Sequence, residues 1–319
     1  MIDNYNRKID YARISLTERC NLRCIYCAPQ GIDIQKYDKS QYMSLSDYKN
    51  LIKAFSKLGI SKIRFTGGEP LQYPNLEEII EYTAKICKIP TVSITTNGVG
   101  LKYRIKRLKE LGLSSVNISL DTLDREKYKK ITREDKFEDV IQGIRECLKL
   151  NIKTKLNCVF IEGMNSDELN NFISITKDYN IDVRFIELMP IGEGAKLFDN
   201  GYVNLKDRIA SVKELGRDKS DEESVATYYK LKGAKGRVGI ITPMSCSFCT
   251  NCNKIRVISS GNIKLCLYSK EEIDIKPYLD NEEKLENYLK YIIKNKPKEH
   301  TLNENDKSNI TKKMYQVGG

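Results

Sequence analysis

The cysteines of this chain lie in clusters, and this clustering constrains its fold and chemistry more than any other feature. Of ten cysteines in 319 residues, seven form two short groups: Cys20, Cys24 and Cys27, and then Cys246, Cys249, Cys252 and Cys266. The first residues are polar and contain no signal-peptide core, so we expect a cytoplasmic protein. In that reducing compartment, grouped thiols bind metal or perform chemistry more often than they form disulfides.

Composition excludes several classes of protein. The chain has one histidine, His300, and no tryptophan. A Ser-His-Asp hydrolase, a histidine-rich zinc enzyme and a histidine proton shuttle are therefore not expected. Apolar runs are far too short to span a membrane. Lysine and arginine exceed aspartate and glutamate by 54 to 43, a net charge of +11, but the excess is spread along the chain. It mildly favours a phosphorylated substrate and is weak support for nucleic-acid binding.

Predicted strands alternate with helices through the first two thirds of the chain. The strands are 13–16, 62–65, 92–95, 115–120, 155–160 and 183–188, and the clearest helices are 46–58, 75–87, 166–179 and 282–294. Such alternation predicts parallel β-α units. Polar and glycine-rich residues follow each strand, at the edge where such folds bind ligands. The alternation of strands and helices therefore predicts one ligand-binding site at that edge. It does not distinguish a barrel from an open doubly wound sheet.

The pattern changes after Pro190. We therefore divide the chain into a β-α region, 1–190, and a C-terminal region, 191–319. The second region contains the second cysteine group. It ends in a polar segment that we expect to be mobile and that closes with Gly318 and Gly319.

The first cysteine group has the spacing C-x3-C-x2-C. Three thiolates from one short loop cannot complete a tetrahedral zinc site by themselves. They can hold three irons of a [4Fe-4S] cubane and leave the fourth iron open to an outside ligand. A zinc site completed by a distant fourth ligand, or a redox pair, is the alternative interpretation, and the spacing favours the cluster.

With Tyr26 before the last cysteine and Gly67-Gly68-Glu69-Pro70 after the next strand, this motif resembles that of the radical S-adenosylmethionine (SAM) enzymes. The resemblance implies a partial (β/α)6 TIM-like barrel of α/β class, in which SAM binds the open iron. In that superfamily an electron from the cluster cleaves SAM to a 5′-deoxyadenosyl radical, and the G-G-E-P segment meets the SAM amino group. A plain turn before a helix is the alternative for that segment.

The second group has the spacing C-x2-C-x13-C over Cys249, Cys252 and Cys266, which again leaves one iron of a cubane free. On spacing alone, a zinc ribbon with Cys246 as fourth ligand is a competitive alternative. The run around these cysteines and the final double glycine resemble the radical SAM enzymes that cyclise GTP in molybdenum cofactor biosynthesis. This resemblance spans nearly the whole chain, implies a second [4Fe-4S] cluster in the C-terminal extension, and leaves Cys246 outside the motif.

The resemblance also implies roles for individual residues. The first cluster is held by Cys20, Cys24 and Cys27, and the second, whose open iron binds guanine, by Cys249, Cys252 and Cys266. Positions that match SAM contacts are Tyr26, Gly68, Ser119 and Met189. Positions that match GTP contacts are Arg13, Arg64, Thr95, Lys155, Lys254, Ile255 and Arg256. The family usually has arginine where this chain has Lys254. Lysine keeps the charge but loses the two-pronged geometry, so we expect altered affinity rather than lost function.

The implied reaction converts GTP to (8S)-3′,8-cyclo-7,8-dihydroguanosine 5′-triphosphate, as a lyase at the first step of molybdenum cofactor biosynthesis. The radical abstracts the ribose 3′ hydrogen, and Gly318 and Gly319 reach into the active site as a catalytic tail. Further implied partners are a reductant of the flavodoxin or ferredoxin type, the downstream cyclic pyranopterin monophosphate synthase, and a second copy in a homodimer. Neither nucleic acid nor a membrane is expected as a partner.

Two other functions stay open on the sequence. One is another radical SAM enzyme with an auxiliary cluster, such as a peptide maturase, which should show no specific GTP binding. The other is a zinc-dependent nucleic-acid-binding protein, suggested by the net charge and the C-x2-C spacing. It predicts a colourless zinc protein with strongly salt-dependent binding to nucleic acid. The lack of regularly interleaved aromatic and basic residues argues against it.

Overall fold

A computed structural model describes residues 1–32, 41–220, 225–245, 249–299 and 312–318. The helices and strands of these segments are, in chain order, β1 (Tyr11–Ser15), α1 (Leu45–Lys57), β2 (Lys62–Thr66), α2 (Leu76–Glu81), β3 (Thr91–Thr96), α3 (Leu101–Glu110), β4 (Ser115–Ser119), α4 (Arg125–Thr132), α5 (Phe137–Lys149), β5 (Lys153–Phe160), α6 (Leu169–Asp178), β6 (Ile181–Glu187), α7 (Gly194–Gly201), α8 (Leu205–Ala210), β7 (Leu215–Asp218), β8 (Thr227–Leu231), β9 (Val238–Ile241), β10 (Lys254–Val257), β11 (Asn262–Lys264), β12 (Ile273–Asp274) and α9 (Glu282–Lys294).

The strands of the described segments form one sheet with the order β12-β11-β10-β1-β2-β3-β4-β5-β6-β9-β8-β7. Strands β1 to β6 are neighbours in chain order, and each pair is parallel. This order has no reversal of direction of the kind that defines a doubly wound sheet, so the predicted partial barrel is confirmed. None of the helices combines the length and the apolar content that a membrane span requires in the described segments.

The C-terminal region extends both edges of this six-stranded unit. Strand β10 pairs in parallel with β1, and β9 pairs in parallel with β6. The sheet therefore continues across residue 190 without a break, and the division of the chain into 1–190 and 191–319 stays a prediction.

One predicted helix differs in the structure. The segment predicted as a helix over 75–87 contains α2 and then a π-helical turn, Tyr82–Ile86, in which Cys87 N–H donates to the Tyr82 carbonyl at 2.9 Å. A single π turn inserts one residue into a helix, and so short a segment has too few apolar positions to distinguish it from an α-helical turn.

The two faces of the parallel strands differ in chemistry. In β6, Ile181, Val183 and Phe185 are buried in the apolar core, whereas Asp182 and Arg184 alternate with them and point to the other face. Successive side chains of a strand point to opposite faces, so one face of the sheet packs on helices and the other stays polar. A polar face enclosed by a sheet must be solvated or occupied by a ligand.

Candidate active site

The three cysteines of the first group line one large cavity. Cys20, Cys24 and Cys27 lie in the loop that follows β1, and none of them is in a disulfide. Burial raises the pKa of Cys20 to about 11 and the pKa of Cys27 to about 12. The thiols are therefore protonated in the absence of metal, and metal binding must release their protons.

The backbone of this loop is fixed by the end of a helix. The N–H groups of Arg23 and Ile25, on either side of Cys24, donate at 3.0 Å to the carbonyls of Thr132 and Ile131 in α4. The last carbonyls of a helix have no partner within the helix, so they are available for such bonds. The helix thus positions the middle cysteine of the triplet.

The double glycine after β2 lies directly against the cysteine loop. Gly67 has a φ of +151°, and its neighbour Gly68 donates its N–H to the Thr17 carbonyl at 2.7 Å. A Cβ atom on Gly68 would overlap the carbonyl oxygens of Glu18 and Arg19. Glycine is required because the two loops run in contact, and Gly68 lines the cavity beside the cysteines.

Glu69 joins three loops of the site. Its buried carboxylate accepts hydrogen bonds from Leu71 N–H at 2.9 Å, Thr96 Oγ1 at 2.6 Å and Asn97 N–H at 2.6 Å. Asn97 in turn donates to Asn21 Oδ1, next to the first cysteine, at 2.7 Å. Burial raises the pKa of Glu69 to about 7, against these hydrogen bonds, which lower it.

We expect Glu69→Gln to lower the free energy of unfolding by about 1–3 kcal/mol, because an amide N–H₂ replaces an oxygen and leaves a buried donor without an acceptor. Urea unfolding of the metal-free protein measures this loss. Glu126→Gln, at an exposed position of α4, is the matched control and should stay within about 0.5 kcal/mol. Equal stability of both variants would contradict the assignment.

The other positions that match SAM contacts line the same cavity, namely Tyr26, Ser119 and Met189. The Tyr26 hydroxyl donates to Asp121 Oδ2 at 2.6 Å, and the Tyr268 hydroxyl donates to the Met189 sulfur at 3.1 Å. Asp121 was expected only as one of the polar residues that follow each strand, and Tyr268 was not identified from the sequence. Each forms a hydrogen bond with a residue predicted to contact SAM that is distant in the sequence.

The second cysteine triplet faces the same cavity. Cys249 begins a 3-10 turn, and Cys252 N–H donates to its carbonyl at 3.2 Å. Cys252 precedes β10 and Cys266 follows β11; since these strands are antiparallel neighbours, both thiols lie at one end of the hairpin. All three line the cavity. Cys246 lies outside the described residues, so its predicted exclusion from the ligand set stays a prediction.

The electrostatic environment of Cys252 in the second triplet is the opposite of that of Cys20 and Cys27. Burial raises the pKa of Cys252, but the charges of Lys296, Lys254 and Arg256 outweigh burial and bring the pKa below its ordinary value. A thiolate is the metal-binding form of cysteine, so these cations favour metal binding.

Within the described residues, no three His, Cys, Asp or Glu side chains lie close enough together to hold a single metal ion. A cubane requires a wider arrangement than one ion does, because each thiolate binds a different iron at a different corner. Both triplets consist of free thiols that open on a cavity, and this donor set fits a cluster with one accessible iron.

Seven basic side chains line the cavity: Arg13, Lys62, Arg64, Lys155, Arg184, Lys254 and Arg256. They occupy polar positions of five strands, and the register places Arg13 opposite both Arg64 and Arg256. Burial and the neighbouring Arg256 guanidinium lower the pKa of Arg13. Burial and the like charge both disfavour the charged guanidinium, and a bound anion would stabilise it.

The carboxylates of the cavity do not balance these cations. Three line it, Glu69, Asp121 and Glu187, against seven basic residues. Glu187 accepts from Ser245 Oγ at 2.7 Å, and the other two accept the hydrogen bonds described above. Arg256 Nη1 and Thr95 Oγ1 are buried and make no hydrogen bond with the described residues. Buried polar atoms of this kind indicate a missing ligand.

The structure distinguishes among the residues predicted to bind GTP. Six of the seven line the cavity, but Ile255 does not: its side chain is fully buried in the apolar core. Ile255 lies between Lys254 and Arg256 on β10, so strand alternation turns it to the opposite face. Lys62 and Arg184 were missed. The available signal was strand alternation: Lys62 shares a face of β2 with Arg64, and Arg184 alternates with the buried residues Val183 and Phe185 of β6.

The C-terminal tail reaches this cluster of basic residues. Arg13 Nη2 donates to the Gly318 carbonyl at 3.0 Å, and Thr66 Oγ1 donates to it at 3.4 Å. Met314 and Tyr315 line the cavity. Gly319 lies outside the described residues. The described part of the tail thus contacts the wall of basic residues, and its catalytic role stays a prediction.

The cavity has a volume of about 570 Å³ and contains both triplets, the basic residues and the tail contact in its walls. This volume is within the range of small-molecule and cofactor sites.

Comparison with known proteins shows the superfamily to which this chain belongs. The model of the radical SAM superfamily matches residues 14–175, and the model named Molybdenum Cofactor Synthesis C matches residues 181–302. Among solved structures, Streptococcus suis SuiB has a TM-score of 0.60 at 15% identity, over 86% of this chain and 66% of that chain. The chain belongs to the radical SAM superfamily.

Curated relatives narrow the class to one family. The GTP 3′,8-cyclase of Clostridium acetobutylicum is 50% identical over 321 residues, and that of Clostridium botulinum strain Langeland is 43% identical, each alignment covering both chains in full. The GTP 3′,8-cyclase of Lactiplantibacillus plantarum is 39% identical over 100% of this chain and 99% of its own. Within the superfamily, the chain is a member of the GTP 3′,8-cyclase family.

Proposed function

We propose that this chain is a lyase that converts GTP to (8S)-3′,8-cyclo-7,8-dihydroguanosine 5′-triphosphate, using SAM and a reductant. The observation that supports this most directly is the position of both cysteine triplets and seven basic side chains around one cavity. A triphosphate supplies the negative charge that these cations lack. Full-length similarity to GTP 3′,8-cyclases favours this function over a peptide maturase or a zinc-dependent nucleic-acid-binding protein.

We infer two [4Fe-4S] clusters, the first held by Cys20, Cys24 and Cys27 and the second by Cys249, Cys252 and Cys266. When bound, the first cluster and SAM supply the radical that abstracts the ribose 3′ hydrogen. The protein positions the ribose and excludes water, and the cavity walls are the part of the chain that does so. In the proposal, Tyr26, Gly68, Ser119 and Met189 contact SAM, and Asp121 orients the Tyr26 hydroxyl by accepting its hydrogen bond.

The basic side chains bind the triphosphate in this proposal. Arg256 Nη1 is buried without a partner among the described residues, so a phosphate oxygen would satisfy it. Thr95 Oγ1 has the same need and lines the same cavity. Lys62 and Arg184 extend the predicted set, because they line the same surface.

The remaining partners stay predictions. They are a flavodoxin- or ferredoxin-type reductant, the cyclic pyranopterin monophosphate synthase that follows in the pathway, and a second copy of the chain in a homodimer. A cytoplasmic location is likewise a prediction.

The proposed function is tested by anaerobic purification followed by iron, sulfide and zinc assays, and by incubation with GTP, SAM and dithionite. We expect about eight irons per chain, the cyclised triphosphate and 5′-deoxyadenosine. Zinc without iron would contradict the function. Four irons with the same product would contradict only the second cluster.

Affinity for GTP is expected to fall as pH rises. Burial lowers the pKa of Lys155 and the pKa of Lys254 to about 8 each. GTP binds the charged ammonium form of these lysines. As the pH rises from about 7 to about 9, loss of the proton from each lysine therefore weakens GTP binding by roughly tenfold. Equilibrium binding of GTP across this range measures the slope.

Lys254→Arg should flatten this profile, because arginine stays charged throughout. Lys153→Arg, two residues from Lys155 but exposed, is the control and should leave the slope unchanged. An unchanged slope in Lys254→Arg would show that Lys254 does not titrate against the nucleotide.

A further inference from the structure

A buried ion pair from the N-terminal segment holds the loop of the second cysteine triplet. Arg7 Nε donates to Asp3 Oδ2 at 2.7 Å, and both side chains are almost completely buried. Arg7 Nη1 donates to the Cys249 carbonyl at 2.9 Å, and Arg7 Nη2 donates to the Pro297 carbonyl at 2.6 Å. One guanidinium thus joins a cysteine-bearing loop to the segment that follows α9.

That segment contains a second buried cation, Lys296, of which 2% is exposed. Its ammonium donates to the Leu265 carbonyl, in the residue immediately before Cys266. Burial lowers the pKa of Lys296, and the charges of the Cys252 and Cys266 thiolates act in the opposite direction. Lys296 does not line the cavity, so it lies behind the triplet rather than in the substrate space.

Lys296 has no acidic partner within salt-bridge distance in the part of the chain that the structure describes. Asp3 already pairs with Arg7, so the two buried cations and one carboxylate leave one positive charge in excess. An uncompensated buried charge is strongly destabilising. The thiolates of the second triplet are the anions in position to balance it.

We propose that Lys296 is a positioning residue that provides a fixed counter-charge to the second cluster and raises its reduction potential. This inference rests on the two-cluster form of the proposed function. One-electron reduction by dithionite adds a negative charge to the cluster and its three thiolates, and a nearby fixed cation stabilises the more negative state. The Arg7–Asp3 pair holds Cys249 and the Lys296 segment at the distance that this requires.

The test is a redox titration of the anaerobic holoenzyme, followed by EPR, with SAM added to distinguish the first cluster from the second. Lys296→Gln keeps a donor for the Leu265 carbonyl and removes the charge. We expect the ratio of reduced to oxidised second cluster at a fixed potential to fall about tenfold, equivalent to about 59 mV for one electron. Lys296→Arg should restore the ratio.

Three further results make the test decisive. Lys296→Met also removes the charge and should lower the ratio about as much as Lys296→Gln does, while the iron content stays unchanged, which a loss of folding would not imitate. Lys109→Gln is the matched control, because Lys109 also donates to a backbone carbonyl, that of Leu150, at an exposed site. An unchanged potential in Lys296→Gln or Lys296→Met would overturn the inference. If the wild-type protein binds only one cluster, the proposal that a second cluster exists would be contradicted instead.

Discussion

Cys24→Ala is expected to remove the first cluster and to lower GTP turnover by at least about 10³-fold. Cys24 is the middle ligand of its triplet, and hydrogen bonds from the residues on either side fix it to the end of α4. Two remaining thiolates hold only two irons of a cubane. Iron and sulfide content, formation of 5′-deoxyadenosine and formation of the cyclised product measure the loss.

Cys87→Ala is the matched control for this experiment. Cys87 is a free, half-buried thiol outside the cavity, so its replacement should leave both iron content and turnover unchanged. The second cluster should survive in Cys24→Ala, because its ligands lie on the β10–β11 hairpin. Retention of full iron content and turnover in Cys24→Ala would refute the assignment of the first triplet.

Deletion of Gly318 and Gly319 is expected to lower turnover by at least about 10²-fold while both clusters remain bound. The Gly318 carbonyl accepts from Arg13 Nη2 at 3.0 Å and from Thr66 Oγ1 at 3.4 Å, at the wall formed by the basic residues. Without it, the Arg13 guanidinium loses a fixed partner next to the proposed triphosphate site. Product formation and iron content of the truncated protein are the measurements.

Comparing Gly318→Ala with Gly233→Ala distinguishes the effect of crowding at the tail contact from the effect of backbone strain. Gly318 has a φ of +76°, and a Cβ atom there would lie 3.0 Å from Thr66 Cγ2. Gly233 has a φ of +75° with no atom within 4 Å of the corresponding position. Both alanine variants incur about 1–2 kcal/mol of backbone strain, but only Gly318→Ala also crowds the site. Full activity of the truncated protein would refute the role of the tail.

The parallel strands and the two cysteine triplets could be predicted from the sequence because both follow from local pattern. Short apolar strands and glycine-rich turns mark the β-α units, and the thiol spacings mark the two triplets. The alternation of a strand also determines which neighbours share a face. In β10, alternation places Ile255 in the apolar core and Arg256 in the cavity wall. In β2, it places Lys62 on the same face as Arg64, in the cavity wall.

Contacts between distant segments could not be predicted in the same way. Asp121 is 95 residues from Tyr26, and Arg7 is 242 residues from Cys249. Nothing in the local sequence of Asp121 or Lys296 indicates which thiol or hydroxyl it will approach. The lowered pKa of Cys252, for example, depends on Lys296, which only the folded chain brings near.

The contact between Arg13 and Gly318 joins residues 305 positions apart. A ribosome extends the chain from the N-terminus, so the β1 loop with its three thiols is synthesised long before the tail. The nucleotide wall cannot be completed until Gly318 has been added. The first thiol triplet is therefore complete in the growing chain before the residue that contacts Arg13 has been added.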